Sequence, residues 1–226
     1  TGTGSYIPQN IISGSEFYIS ATSLFEITDS NFTESYANEA TFIYGDNLSL
    51  SSINLANIRV SEILYQAKSS LIQLHLGLFN VTNSIFESIN IPLFQVEGSV
   101  IKFNNLSISD IFCKTSLGFC ILTGTPTYLT FSNSQISNIV SNSNIISLSQ
   151  SIKAAFNSVK FSNIQSLLST SVSSQYYTII ASYIEDISFW NSTFLGTEFS
   201  VIKSIKSALN ISSTNFSNHV VASRIL

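Results

Sequence analysis

The chain has 226 residues, enough for one large all-β domain with a buried core. Hydrophobic residues make up 44% of it and charged residues only 10%, so 44 Ser, 17 Thr and 21 Asn must supply most of the polar surface. These residue types favour turns over helix interiors, which argues against a helical bundle. The net charge is only −4 and Lys and Arg are scattered, so we expect no nucleic-acid partner.

The N-terminal residues 1–14 lack the alternation that follows, and we interpret them as an extension or cap before a single domain at 15–226. Because Thr1 is not an initiator Met, we expect a processed chain or a segment of a longer one. The longest apolar run, LIQLHLGLF at 71–79, is shorter than the roughly 20 residues of a membrane-spanning helix. We therefore predict no membrane insertion in this segment.

From residue 25 onwards one short phrase recurs eight times, at spacings of 22 to 33 residues. Its central apolar residue, the anchor, is in turn Ile27, Leu50, Val81, Phe103, Phe131, Phe156, Phe189 and Ile211. The residues two before and five after each anchor are also apolar, whereas most of those directly beside it are polar. This alternation predicts a short strand in every repeat, with one face buried and the other exposed.

A small polar residue stands two positions after every anchor, and this column is Asp29, Ser52, Asn83, Asn105, Asn133, Ser158, Asn191 and Ser213. Such residues tolerate tight, left-handed turns and can bond neighbouring backbone. In coils stacked about 4.8 Å apart, they could also bond one another along the column. We predict an asparagine ladder that includes Asp29, Asn83, Asn105, Asn133 and Asn191, with the side chains turned inward.

The phrases FSNSQISNI and FNSVKFSNI, with their polar turn column and variable coil length, resemble the right-handed parallel β-helix of the pectin-lyase-like group. The resemblance is to the repeats found in large secreted or surface proteins of ciliates and similar protists. It implies an all-β solenoid of about eight coils and a secreted or cell-surface location. A leucine-rich repeat is the alternative, but it needs an apolar residue three after the anchor, where half or more are polar.

Cys113 and Cys120 bracket KTSLGF, and we interpret them as a local disulfide that pins an excursion, with free thiols as the alternative. Two cysteines are too few for a four-ligand zinc site, and the only histidines, His75 and His219, fall in other coils. We therefore predict neither a metal site nor a cofactor.

Seven N-x-Ser/Thr sequons begin at Asn31, Asn47, Asn80, Asn105, Asn191, Asn210 and Asn215, about the number that this composition produces by chance. Asn80 and Asn210 share the outward position before the anchor, and Asn31 and Asn215 share the polar position four after it. We expect these four to carry N-linked glycans. Asn105 and Asn191 belong to the ladder column, where an inward side chain would leave no room for a sugar.

Enzymes of the resembled group use clustered carboxylates, but the four Asp and nine Glu of this chain stack in no common column. Glu185 and Asp186 are neighbours and should point to opposite faces of a strand. We therefore predict no catalytic residues and no enzyme activity. Trp190, Tyr176 and Tyr177 remain as candidates for stacking on sugar rings.

The sequence favours a non-enzymatic, extracellular structural module: a rigid, glycosylated solenoid that self-associates end to end or laterally as a surface-coat or filament subunit. The terminal phrase NISSTNFSNHVVASRIL stops inside a coil with apolar residues and carries no polar cap, which suggests that its strand edges are covered by more chain or by a second copy. The alternative is a carbohydrate-binding or degenerate polysaccharide-processing β-helix.

Overall fold

A computed structural model describes residues 14–20, 24–33, 36–37, 40–46, 52–65, 70–114, 118–167 and 176–219, and all regular secondary structure within them is β-strand. The strands are β1 (Gly14–Ser20), β2 (Leu24–Thr28), β3 (Asn31–Thr33), β4 (Tyr36–Ala37), β5 (Ala40–Asp46), β6 (Ser52–Ala56), β7 (Arg59–Tyr65), β8 (Ile72–Ile89), β9 (Phe94–Cys113), β10 (Phe119–Thr125), β11 (Tyr128–Ser132), β12 (Gln135–Ser141), β13 (Asn144–Ser149), β14 (Lys153–Asn157), β15 (Lys160–Ser166), β16 (Tyr177–Ser182), β17 (Asp186–Trp190), β18 (Thr193–Thr197), β19 (Ser200–Ile205), β20 (Leu209–Ser212) and β21 (Asn215–Ser217). The predicted N-terminal extension lies outside the described residues except for Gly14.

The strands pair in parallel and form three faces of a solenoid. The first face stacks β2, β6, part of β8, part of β9, β11, β14, β17 and β20. The second face stacks β3, β7, β8, β9, β12, β15, β18 and β21. The third stacks β1, β5, β8, β9, β10, β13, β16 and β19. The predicted class, an all-β parallel solenoid, is confirmed.

One predicted repeat is wrong by five residues. Ile27 pairs with Leu55, and Leu55 pairs with Val81, so the anchor of the second coil is Leu55 and not Leu50. The stretch LSLSSINLANI fits the repeat in two registers, with either Leu50 or Leu55 as the anchor. In both registers the anchor and the residues two before and five after it are apolar. The turn separates them, because Asn57 adopts the left-handed backbone (φ 54°) whereas Ser52 begins strand β6.

Phenylalanine fills much of the core between the faces. The anchors Phe103, Phe131, Phe156 and Phe189 are at most 1% exposed, and neighbouring rings are in contact, with Phe156 and Phe189 stacked at 4.9 Å. On the second face Phe161 stacks on Phe194 with centroids 4.8 Å apart and planes inclined by 2°. This spacing equals the coil repeat. Each buried ring stabilises the solenoid by about 1.5–3 kcal/mol.

The residue three after the anchor alternates between hydroxyl and aliphatic side chains in the first seven coils, and the eighth coil adds a second hydroxyl, Thr214. With the corrected register, the column is Ser30, Ile58, Ser84, Leu106, Ser134, Val159, Ser192 and Thr214. The Ser84, Ser134 and Ser192 hydroxyls accept the backbone N–H of the aliphatic residue in the preceding coil, at 3.3, 2.9 and 3.2 Å. Each also donates to the carbonyl two residues before it in its own coil. These buried hydroxyls are therefore satisfied on both sides.

The predicted disulfide is present between Cys113, the last residue of β9, and Cys120, the second residue of β10. Their Cα atoms are 5.7 Å apart and both side chains are fully buried. The bond therefore joins the end of β9 to the start of β10 within the core.

Candidate functional site

The predicted ladder, which we call the first turn column, lies at the bend between the first and second faces. Its members Asp29, Asn57, Asn83, Asn105, Asn133, Ser158, Asn191 and Ser213 all have left-handed backbones, with φ between 49° and 56°. Asn57 Nδ2 donates to Asp29 Oδ1 at 2.9 Å, and Asn105 Nδ2 donates to Asn83 Oδ1 at 2.9 Å.

The first turn column differs from the prediction in two ways. Asn133 Nδ2 donates to Asn104 Oδ1 at 2.9 Å, so the bond is to the residue beside the column and not to Asn105. The Asp and Asn side chains of the column are also exposed, and the expectation that they turn inward is wrong. A left-handed residue at an outer bend places its Cβ toward solvent, so the column forms a polar seam on the surface.

A second turn column, which the sequence analysis missed, lies at the end of the second face, seven residues after the anchor. Its described members are Glu62, Ser88, Asp110, Asn138, Asn163, Gly196 and Asn218, and φ lies between 53° and 62° at every one. Asn138 Nδ2 donates to Asp110 Oδ1 at 3.1 Å, and Asn163 Nδ2 donates to Asn138 Oδ1 at 2.8 Å. The signal was available, because all seven residues are polar or Gly.

A groove follows the first turn column. It consists of two adjoining depressions of about 430 and 630 Å³ that share Asn83 and Ile85. The first turn column forms one side, and the outward residues at the start of the second face, among them Arg59 and Lys160, form the other. The groove offers amide and hydroxyl hydrogen-bonding groups but no aromatic ring to a ligand.

The sequons that we expect to be glycosylated are on the surface. Asn31, Asn210 and Asn215 are exposed, and Asn80 is half-buried on the first face. Asn47 lies outside the described residues.

Asn105 and Asn191, the two sequons in the first turn column, are exposed as well. The expectation that their side chains leave no room for a sugar is therefore wrong. Their Nδ2 atoms are instead engaged in hydrogen bonds: Asn105 donates to Asn83, and Asn191 donates to Ser158 Oγ at 3.1 Å. Nδ2 is the atom to which an N-linked sugar attaches, so a glycan there would have to be accommodated beside the ladder bond.

The three candidate aromatic residues lie apart. Trp190 is 53% exposed on the first face, where it pairs with Asn157 and Ser212. Tyr176 is half-buried against Phe199, and the Tyr177 ring is covered on one side by Lys203 Nζ at 5.0 Å. Trp190 alone of the three presents an uncovered ring, and it stands on a flat face.

In the described part of the chain, charged residues pair across neighbouring coils at several places. Asp186 Oδ2 lies 3.4 Å from Lys153 Nζ, and Arg59 pairs with Glu87. His75 Nδ1 lies 3.1 Å from Glu97 Oε2 on the third face. In the part of the chain that the structure describes, no group of three His, Cys, Asp or Glu side chains comes together as a metal site would require.

No family model, curated protein or solved structure matches this sequence. Among the described residues there is no helix long and apolar enough to span a membrane.

Proposed function

We propose that the chain is a non-enzymatic structural module of the extracellular space, a rigid solenoid whose copies associate end to end. The observation that carries this proposal is the exposure of core columns in the last described coil, which a further coil in the same register would cover, whether that coil belongs to a longer chain or to a second copy. Leu209, Ile211 and Phe216 are 42%, 45% and 40% exposed, whereas their counterparts one coil earlier, Ile187, Phe189 and Phe194, are at most 1% exposed.

The first described coil carries apolar residues in the same columns at the opposite end of the solenoid. Phe25 and Phe32 are only partly buried there, and Leu24 is 52% exposed. A second copy stacked in the register of the other coils would place Phe25, Ile27 and Phe32 over Leu209, Ile211 and Phe216. Parallel strand pairing between β20 and β2 would extend the first face across the junction.

The charge distribution favours this head-to-tail arrangement. Residues 1–100 contain nine acidic and two basic residues, whereas residues 101–226 contain four acidic and seven basic ones. Because the coils stack in chain order, the solenoid is negative toward its first coils and positive toward its last. Opposite potentials at the two ends steer copies into head-to-tail contact and disfavour head-to-head contact.

The extracellular location is supported by the buried Cys113–Cys120 disulfide, since such bonds persist in oxidising compartments. The surface sequons at Asn31, Asn80, Asn210 and Asn215 support N-linked glycosylation of the rod. The parallel coils with left-handed Asn turns support a relationship to the pectin-lyase-like β-helices of secreted proteins.

The test is concentration-dependent assembly, followed by sedimentation velocity and negative-stain microscopy. We expect fibres whose formation is lost in the double variant Ile211→Lys/Phe216→Lys and retained in Trp190→Lys, which adds a charge at an exposed apolar residue on the side of the rod. Circular dichroism would verify that each variant keeps its strands.

Two results would contradict end-to-end association: a wild-type protein that stays monomeric up to its solubility limit, or assembly that survives the double variant. A monomer that is retained on a glycan array would favour the alternative, a carbohydrate-binding or degenerate polysaccharide-processing β-helix.

A further inference from the structure

The bend between the third and first faces has an unusual composition. Its left-handed residues include Gln150 (φ 55°), Tyr183 (φ 57°) and Lys206 (φ 49°), which we call the third turn column. Of the 17 non-glycine residues with positive φ in the described part of the chain, all but these three and Glu62 are Asn, Asp or Ser. A bulky aromatic residue is strongly disfavoured in this conformation.

The turn itself does not explain the choice of tyrosine. Asn, Asp or Ser holds most of the equivalent bends in the other two columns at a lower conformational cost, and Tyr183 is 55% exposed, so its ring adds little to the core. Strained residues of this kind are concentrated at functional sites, where the strain is retained because the side chain is needed there.

The Tyr183 ring lies at the edge of a surface depression that residues of two neighbouring coils line. Lys206 Nζ, from the next coil, lies 5.2 Å from the centroid of the Tyr183 ring. A depression of about 310 Å³ is lined by Tyr183, Glu185 and three residues of the preceding coil, Gln150, Ser151 and Ile152. Backbone bonds hold the two coils together at this place, from Gln150 N–H to Ser182 O at 3.0 Å and from Glu185 N–H to Ser151 O at 3.1 Å.

The depression combines two kinds of surface. Tyr183 and Ile152, which is 41% exposed, supply an apolar wall on which the C–H face of a pyranose ring can stack. The Glu185 carboxylate accepts hydrogen bonds from hydroxyl groups, and the Gln150 amide both donates and accepts them. We propose that this depression, which we call the Tyr183 site, binds one neutral hexose or N-acetylhexosamine residue of a glycan.

The charges at the site favour a neutral sugar over an acidic one. The Glu185 carboxylate is exposed at the rim and would repel a uronate, sulfate or phosphate group. Lys206 is placed over the Tyr183 ring, where it polarises the ring and closes the side that faces the next coil. The depression therefore leaves the opposite side of the ring for the ligand.

Trp190 provides the matched control. It is as exposed as Tyr183, at 53% against 55%, but it stands on the flat first face with none of the residues that line the depression beside it in register. If exposed aromatic area alone determined sugar binding, the two residues would contribute equally.

The experiment is saturation-transfer difference NMR on the full chain with four probes: methyl α-mannopyranoside, methyl β-glucopyranoside, methyl β-galactopyranoside and N-acetylglucosamine. We expect transfer to the ring protons of at least one probe. The Tyr183→Asn variant keeps a residue suited to the left-handed turn while removing the ring, and we expect it to weaken binding at least tenfold. We expect a several-fold loss in Glu185→Gln and no change in Trp190→Ala.

The Tyr183 site would be refuted by the absence of transfer to all four probes, by unchanged binding in Tyr183→Asn, or by loss of binding in Trp190→Ala. Circular dichroism of Tyr183→Asn controls for unfolding. The site does not depend on end-to-end association, so sugar binding and fibre formation can succeed or fail separately.

Discussion

Leu106 and Ser134 are joined across neighbouring coils: the Leu106 N–H donates to Ser134 Oγ at 2.9 Å, and that hydroxyl donates to Ser132 O at 2.6 Å. Both side chains are buried, at 2% and 5% exposure. The serine hydroxyl therefore satisfies a backbone donor that water cannot reach.

We predict that Ser134→Ala destabilises the solenoid by about 1–3 kcal/mol, because the buried N–H of Leu106 loses its acceptor. Chemical denaturation measures the change. Ser30→Ala is the control, since the Ser30 hydroxyl bonds only within its own turn among the hydrogen bonds of the described residues, and we expect a smaller loss there. Equal losses in the two variants would show that the bond between coils contributes nothing.

We predict that Asn133→Leu destabilises the protein by about 2–3 kcal/mol. Leucine is disfavoured in the left-handed backbone conformation that Asn133 adopts, and the variant also loses the hydrogen bond to Asn104. Gln135→Leu, an exposed strand position two residues later, should change stability by less than about 0.5 kcal/mol. The comparison needs only the two denaturation midpoints. Similar midpoints would mean that the first turn column does not stabilise the coil stack.

We predict that Gly196→Asn stabilises the protein by about 0.5–1 kcal/mol, because Asn suits the left-handed backbone and restricts the unfolded chain. A Cβ at Gly196 (φ 62°) would lie 3.9 Å from its nearest neighbour, Asn218 O, and the new amide would extend the second turn column. The opposite result is expected for Gly124→Ala, whose Cβ would lie 1.6 Å from Val96 O. Thermal melts of both variants check the pair, and a destabilised Gly196→Asn would contradict the role of the second turn column.

We predict that the pKa of His219 lies below the usual histidine value of 6.5. Burial lowers the pKa of its imidazole, and a hydrogen bond with the Phe194 backbone acts in the opposite direction but is the smaller effect. Its Nδ1 lies 3.0 Å from Thr197 Oγ1, and among the described residues its buried Nε2 has no partner. Since the unfolded chain then binds the proton more readily, stability should fall as the pH drops below 6.5. NMR titration of the ring protons gives the pKa, and denaturation at neutral and mildly acidic pH should show a smaller difference in His219→Gln.

The alternation of apolar residues was sufficient to predict the fold class, because Phe131, Phe156 and Phe189 can share one buried column only if successive coils stack. Periodicity could not fix the second coil, since Leu50 and Leu55 both satisfy the same pattern and only the conformation of Asn57 distinguishes them. The second turn column was missed because its members, among them Glu62, Ser88 and Gly196, are all polar or Gly but otherwise share only a backbone geometry. The Tyr183 site was missed for a related reason, as no repeat pattern indicates which bend will carry an aromatic residue.

The alternating hydroxyl and aliphatic column has a consequence for how such a rod can change in length. Each described donor–acceptor pair spans two coils: Ile58 with Ser84, Leu106 with Ser134, and Val159 with Ser192. Deleting a single coil would bring two serines or two aliphatic residues together and leave a buried N–H without its acceptor, whereas deleting two would restore the alternation. Within the coils from Ser30 to Ser192, the smallest increment that preserves this alternation is therefore a pair of coils.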